Sequence, residues 1–333
     1  MPRIALPTSE NLDWACELLS VGELVAIPTE TVYGLAANAW DADAVMKIFA
    51  AKGRPANNPL IVHVASIDRM GEACAMPLAK PIQTQLNAIS DLWPGPMTVV
   101  LPRHSRIPDC VTAGLDTVAV RIPSHPVALE LLKRCPFPIA APSANRSNYI
   151  SPTAAEHCQS GLGESVSLIL DGGACPFGVE STIIALEPEG PRLLRPGGIS
   201  AEALSRRFDI SLSQLTRKRG QADRIEAPGM MREHYSPSKP LLLLFAPPAE
   251  RVPPHTGRIA FGPIAAEEAA RYEVVEVLSE TTDLAEVARN LFAALRRMDQ
   301  AAVQAIHVDT CQSVGVGRAI MDRLGRAAAR DSS

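Results

Sequence analysis

Lys52, Arg54, Asn58 and His63 fall within one short stretch, KGRPANNPLIVHV at residues 52–64. Lysine brings a compact charge and arginine a planar fork of donors, and both fit phosphate oxygens. The same cations also fit a solvated helix C-terminus, where they complement the backbone dipole. Spacing alone leaves both readings open. Six further stretches are dense in hydroxyls, Gly and Pro. PTETVYGL (28–35) follows an apolar run; it is either a binding turn at a strand end or a turn merely capped by its own hydroxyls. WPGPMT (93–98) reads as a rigid turn before a strand. TVAVRIP (117–123) sets Arg121 in an apolar run, where an unpaired charge is costly, so it needs an anion: a buried carboxylate or a ligand. APSANRS (141–147), continuing to SPT at 151–153, has the small and hydroxyl residues that let backbone approach a ligand. DGG (171–173) leading to GVEST (178–182), and LRPGG (194–198), complete the set.

Together these stretches supply Lys52, Arg54, His63, Arg121 and Arg195 with many hydroxyls. No Ser-His-Asp grouping or carboxylate pair accompanies them. The sequence has no P-loop, no complete G-x-G-x-x-G after a strand, no G-x-S-x-G and no H-E-x-x-H; Gly315 and Gly317 form only an incomplete G-x-G. A site rich in cations and hydroxyls but poor in nucleophiles suits binding a polyanion and orienting reactants. Phosphoryl and nucleotidyl transfer ask mainly for positioning and charge neutralisation.

The elements that must position these residues fall into two patterns. Residues 24–28, 60–64, 97–101, 118–122, 166–170 and 182–186 are short apolar strand candidates. Residues 41–52 predict a helix capped by Asp41, with Val45, Ile48 and Phe49 on one face; 126–134 and 153–160 predict shorter ones. Dense Pro/Gly connections suggest a mixed sheet, not a regular parallel array. SQLTRKRGQADRIE (213–226) is polar and reads as a linker. APGMMREHYSP (227–237) carries Met230, Met231, His234 and Tyr235, which a plain spacer does not need, so this part docks on something. Beyond it, strands at 241–245, 258–261, 273–278 and 305–308 alternate with helices at 265–271, 283–298 and 316–328. That alternation predicts a small parallel, Rossmann-like sheet. The expected organisation is an α/β domain over 1–212, a linker over 213–237 and a second α/β domain over 238–333.

Composition narrows the classes. Of 333 residues, 47% are hydrophobic, enough for real cores and against disorder. A net charge of −4 argues against a general nucleic-acid or membrane-surface binder and leaves room for a local basic pocket. The seven cysteines show no C-x-x-C and no zinc spacing, as reduced thiols of a cytoplasmic protein would. No signal peptide is expected, and no apolar stretch approaches the roughly 18 residues of a membrane span.

PTETVYGL, KGRPANNPLIVHV, WPGPMTVVL, APSANRSNYISPT, DGGACPFGVESTI and LLRPGG, in this order, resemble the Sua5/YrdC/YciO family. APGMMREHYSP and the ending GVGRAIMDRLGRAA resemble its long, two-domain Sua5 type. The resemblance implies a twisted mixed α/β domain with a concave basic cleft, followed by the linker and the Rossmann-like domain. It implies L-threonylcarbamoyladenylate synthesis: L-threonine, bicarbonate and ATP give threonylcarbamoyl-AMP and pyrophosphate, a product used for tRNA N6-threonylcarbamoyladenosine at position 37. Carried onto this chain, the threonine pocket would use Thr31, His63, Arg121 and Ser181, with backbone near Ala141. The ATP side would use Lys52, Arg54, Asn58, Thr117, Ser143, Ser151 and Arg195, with Tyr235 of the linker as a cover. Lys52 and Arg54 would act on the phosphates together with Mg²⁺ brought by ATP; no tightly held protein metal site is expected. The implied partners are downstream tRNA threonylcarbamoyl-transfer proteins, with little or no direct tRNA binding and no membrane. Three departures stand out: Asn148 where the family often has Gly, Asp322 where it often has Asn, and Met231 in place of a basic or aromatic residue.

Two rival readings remain. One is an RNA-binding, translation-associated factor that uses the cleft for phosphate backbone. The other is a carbamoyl-phosphate-using relative, which the missing zinc-finger-like cysteine motifs oppose.

Overall fold

A computed structural model describes residues 3–217, 225–230, 234–246 and 252–329. The first part runs β1 (Arg3–Ala5), α1 (Ser9–Ser20), β2 (Val25–Ile27), β3 (Gly34–Asn38), α2 (Ala42–Lys52), β4 (Ile61–His63), α3 (Lys80–Ile89), β5 (Met97–Pro102), α4 (Asp109–Thr112), β6 (Thr117–Arg121) and α5 (Pro126–Arg134). It continues with β7 (Ile139–Ala140), α6 (Ala155–Leu162), β8 (Leu168–Leu170), β9 (Thr182–Glu187), β10 (Gly190–Arg195), α7 (Ala201–Phe208) and α8 (Leu212–Leu215). The second part runs β11 (Leu241–Leu244), β12 (Thr256–Ala260), α9 (Ala266–Ala269), β13 (Val274–Val277), α10 (Leu284–Gln300), β14 (Ala305–Asp309) and α11 (Gly317–Ala327).

The first ten strands form one mixed sheet in the order β1-β8-β2-β3-β7-β4-β6-β5-β9-β10. Parallel pairs such as β4 with β6 alternate with antiparallel ones such as β5 with β6. Its largest core joins the sheet to α2 and α3 through Val45, Ile48, Phe49, Ile82, Leu86 and Ile89. A second core packs Leu12, Ala15 and Leu19 of α1 with Leu131 and Leu132 of α5. Both helices have an amphipathic spacing that buries one face. The four C-terminal strands are all parallel, in the order β11-β14-β12-β13. Their core is the buried stripe of α10, which includes Val287, Leu291 and Leu295. Val32, Ile150 and Val179 from the first part, and Tyr235, belong to this same cluster, so the two parts share apolar packing.

Several sequence expectations shift. The helix predicted at 41–52 forms, and Asp41 Oδ1 accepts from the amides of Asp43 and Ala44. The strand expected at 118–122 spans Thr117–Arg121, and the helix expected at 153–160 is Ala155–Leu162. The stretch read as a linker from residue 213 begins as helix: Ser211 and Gln214 form a capping box at α8, and Leu215 is buried in the main core. Residues 218–224 lie outside the described residues, as does Met231. Asn148 has φ 64, a left-handed backbone that asparagine tolerates nearly as glycine does. No helix among the described residues is long and apolar enough to cross a membrane. All seven cysteines are free thiols, four of them buried.

Candidate active site

The C-terminal ends of β4 and β6 lie side by side, with His63 in register with Arg121, and β5 sets Thr98 against Arg121 from the other side. The turn after β2 closes one flank. Thr29 Oγ1 accepts from the amides of Thr31 and Val32, which turns the Thr31 hydroxyl toward Arg121. The capping reading of PTETVYGL therefore holds for the Thr29 hydroxyl, while the Thr31 hydroxyl meets Arg121. Arg121 donates through Nη1 to Thr31 Oγ1 at 2.9 Å and through Nη2 to Glu30 Oε1 at 2.6 Å. Burial pushes the Glu30 carboxyl up, but the charge and hydrogen bond of Arg121 outweigh it and hold the group below its usual range. The anion that buried Arg121 requires is thus Glu30, already in place in the protein. His63 is enclosed, and burial followed by the charge of Arg121 pushes its pKa down to about 3. Its Nδ1 has no partner among the described residues.

The opening stretch of cations is positioned by the end of α2. Gly53 takes a left-handed φ of 59 and ends the helix, so Lys52 and Arg54 turn inward. Lys52 is 3% exposed and Arg54 8%, which removes the solvated-terminus reading. Lys52 Nζ donates to the Ser143 and Asn145 carbonyls at 2.6 and 2.5 Å. Arg54 staples its own loop through Asn58 Oδ1 at 2.6 Å and the Pro59 carbonyl at 2.7 Å. Arg195 comes from β10 and donates to the Ser181 carbonyl at 2.9 Å and to Ser181 Oγ at 3.1 Å. Burial depresses all three cations: Lys52 falls well below its usual range, helped by the charge of Arg54, and Arg54 falls to about 9. Among the described residues, no carboxylate pairs with Lys52 or Arg54. Three desolvated cations held mostly by carbonyl dipoles make a site that an anion would stabilise.

Nine of the residues singled out in the sequence line one cavity: Thr31, Arg54, His63, Arg121, Ala141, Ser143, Ser181, Arg195 and Tyr235. Thr29, Glu180, Pro228, Gly229 and His234 are also part of its wall. The free space is small, about 40 Å³, because the linker closes it. Arg195 Nη1 donates to the linker carbonyl of Pro228 at 3.2 Å. The Tyr235 ring is 1% exposed and stacks on Phe292 of α10 at 5.5 Å. Four singled-out residues lie off the cavity. Lys52 sits behind the Ser143 and Asn145 carbonyls, and Asn58 is held by Arg54. Ser151 donates to Glu180 Oε1 at 2.7 Å. Thr117 lines a separate, more open cavity of about 360 Å³ with Val100, Ala185 and Glu226. Between the two cavities runs an apolar floor of Ile61, Val100, Ala119, Ile183 and Ala185, on which Ala227 and Met230 of the linker rest.

Four contributors were missed in the sequence: Glu30, Thr98, Glu180 and Arg323. Glu30 and Glu180 lie inside motifs that the sequence marks as polar, and that marking was the available signal. Arg323 had none. It lies on α11 near Arg318 and Arg326, and only the fold buries it, at 1% exposure. His234 stood out as a docking side chain without a role; it is buried in the wall at 7%.

Comparison with known proteins identifies the family. The Sua5/YciO/YrdC family profile, described as telomere recombination, matches residues 17–197. The profile described as threonylcarbamoyl-AMP synthase, C-terminal domain, matches residues 199–329. The Pyrococcus abyssi threonylcarbamoyl-AMP synthase is 40% identical over 94% of this chain and 92% of its own length. The Bacillus subtilis threonylcarbamoyl-AMP synthase is 41% identical over the same shares, 94% and 92%. The crystal structure of P. abyssi Sua5 complexed with L-threonine superposes with a TM-score of 0.84 at 36% identity, covering 98% of this chain and 97% of that one. The chain belongs to the Sua5/YciO/YrdC family, in its long two-domain Sua5 form.

Proposed function

We propose that this chain is a threonylcarbamoyl-AMP synthase, joining L-threonine, bicarbonate and ATP into threonylcarbamoyl-AMP and pyrophosphate. One observation carries the site-level reading. A single cavity joins an end lined by Thr31, His63, Arg121 and Ser181 to a cationic end (Arg54, Arg195, with Lys52 behind). An apolar floor leads from it toward Thr117 and can take a purine face. That floor supports Thr117 as a nucleotide contact, although it stands apart from the cations.

In this mechanism Arg121 binds the threonine carboxylate with the donors that Glu30 and Thr31 leave free, and Glu30 fixes its plane. His63 is neutral at physiological pH, so it accepts from the amino group without adding a second positive charge. Desolvation and the charge of Arg121 favour the neutral, nucleophilic amine. That amine attacks the carbon of bicarbonate, forming the N–C bond and releasing water after proton transfer. The carbamate oxygen then attacks the α-phosphorus in line, and pyrophosphate leaves. Arg54, Arg195 and the Ser143 hydroxyl lie along the phosphates, and Lys52 reaches them by releasing its carbonyls. The nucleotide arrives as its magnesium complex. Among the described residues, no group of three or more His, Cys, Asp or Glu side chains gathers to hold a metal of its own. Pro228, Gly229, His234 and Tyr235 exclude water from a labile carbamate and mixed anhydride. The product would pass to cytoplasmic proteins that transfer the threonylcarbamoyl group to tRNA adenosine. An RNA-backbone binder needs cations exposed to its ligand, and here Lys52, Arg54 and Arg195 are all buried.

The test is pyrophosphate release from magnesium-ATP with L-threonine and bicarbonate each omitted in turn. Release should need both. Arg121→Ala should lower kcat/KM for threonine by roughly 100-fold or more. Release indifferent to threonine would overturn the assignment.

A further inference from the structure

Glu180 is the only carboxylate that lines the cation-rich cavity among the described residues. Its pKa is held down to about 2: burial opposes ionisation, but Arg323 and Arg195 outweigh it. It is therefore charged within the cavity where, on the synthase reading, a triphosphate would lie.

The partner of Glu180 comes from the other half of the chain. Arg323, on α11 of the C-terminal part, donates through Nε to Glu180 Oε2 at 2.8 Å. Its Nη2 donates to the Pro196 carbonyl at 2.9 Å, next in the chain to Arg195. Its Nη1 donates to Asp322 at 2.6 Å, and its guanidinium carbon lies 5.3 Å from the centroid of the Tyr235 ring. One side chain of the second part thus meets the cavity wall, the strand that carries Arg195, and the lid. Glu180 otherwise faces Ser151 and Arg195 of the first part and His234 and Tyr235 of the linker.

We propose that Arg323 is a positioning residue for nucleotide binding: it neutralises Glu180, so that Arg54 and Arg195 present their charge to the phosphates. This rests on the synthase reading above. Without Arg323, an ionised and poorly solvated carboxylate would repel the phosphates and draw Arg195 to itself. Arg323 touches no reacting atom, and Arg121, which would hold the threonine carboxylate, is set by its own partners Glu30 and Thr31 and not by Arg323. The inference also gives the C-terminal part a task in the reaction: it supplies the charge that makes the cavity receptive to an anion.

Two single substitutions should differ in their effect on ATP binding, only one of them weakening it, although both disturb the same buried pair. The full-length chain is used, with ATP affinity measured by calorimetry and pyrophosphate release followed in parallel. Arg323→Ala should weaken ATP binding and raise its KM on the order of tenfold, with the KM for threonine within about twofold of wild type. Glu180→Gln should tighten ATP binding or leave it unchanged. The double variant should return close to wild type. A purely structural role would make both single variants bind ATP more weakly, or would raise both KM values together, and either result would overturn the proposal. Should Arg323→Ala not fold, Glu180→Gln and the double variant still test the proposal: once the carboxylate is gone, loss of Arg323 should change ATP affinity little. A double variant that binds ATP on the order of tenfold more weakly than Glu180→Gln would overturn it as well. Wild-type turnover that ignored threonine would remove the synthase reading, while the ATP affinities would still decide this one.

Discussion

His63 and His234 are rings that the fold keeps neutral. Burial pushes each pKa down to about 3, with the charge of Arg121 adding to the effect at His63, and Arg54, Lys52 and Arg195 adding to it at His234. The unfolded chain binds these protons near the ordinary value of about 6.5, so acid favours unfolding. Stability should be unaffected by these groups above pH 7 and should fall as pH drops from 6.5 toward 3. By pH 5.5 the loss should be on the order of 1 kcal/mol for each ring. Glu30 and Glu180, whose pKa values are depressed, add their own loss of stability only as pH falls through the unfolded carboxylate value of 4.5, so they leave the interval from pH 7.5 to 5.5 clear. Urea unfolding at pH 7.5 and 5.5 measures the difference, and His63→Gln should remove about half of the part due to these two rings. At this scale the sequence was informative wherever a residue violated its surroundings. Arg121 in an apolar run demanded an anion. It could not say which one, because Glu30 meets Arg121 across 91 positions of chain. Arg323 sent no signal, because an arginine on an amphipathic helix looks solvated until a second domain covers it.

The decisive elements are the end of α2 and the linker. A left-handed residue after Lys52 folds the cations inward, and the linker lies over them. Gly229 has φ +80, and a Cβ there would come within 3.0 Å of Arg195 Cδ and Tyr235 Oη. Gly229→Ala combines backbone strain with contact against the side chain beneath it, a penalty of roughly 1–3 kcal/mol. It should loosen the seated linker, and amide hydrogen exchange at Ala227 and Met230 should quicken by about tenfold or more. Unchanged protection would mean that this turn does not hold the linker down. Elements with their own signals were legible. Asp41 announced α2, and Pro126 at the first turn of α5 marked its start. The spacing of Leu12, Ala15 and Leu19 in α1 was readable and was passed over, as was the capping box at Ser211. Strands β3 (GLAAN) and β7 (two residues) were not readable. They contain few β-formers and exist because longer neighbours pair with them.

Across the whole molecule, the two halves meet at backbone distance. Gly178 has φ +69, and a Cβ there would lie 2.4 Å from both the Cα and the carbonyl oxygen of Arg289 in α10. No side chain fits between them. Gly178→Ala should therefore separate the halves, lower the first unfolding midpoint by several degrees and split one calorimetric transition into two. A single unshifted transition would show that the contact is not needed for cooperative folding. The alternation of strands and helices after residue 238 made the second domain legible. The docking of that domain was not, since GVEST reads as a local motif while its glycine serves a helix more than a hundred residues away. The linker's seat on the apolar floor has a kinetic and thermodynamic consequence. On the proposed reading, Ala227, Met230 and the Pro228 carbonyl occupy the trough the nucleotide must enter. They act as a built-in competitor, tethered to the chain and present at a fixed effective concentration that dilution cannot lower. The affinity observed for ATP is then its intrinsic affinity reduced by the fraction of time the linker is seated. The same segment that keeps water from the product thus also sets the nucleotide concentration at which the protein begins to work.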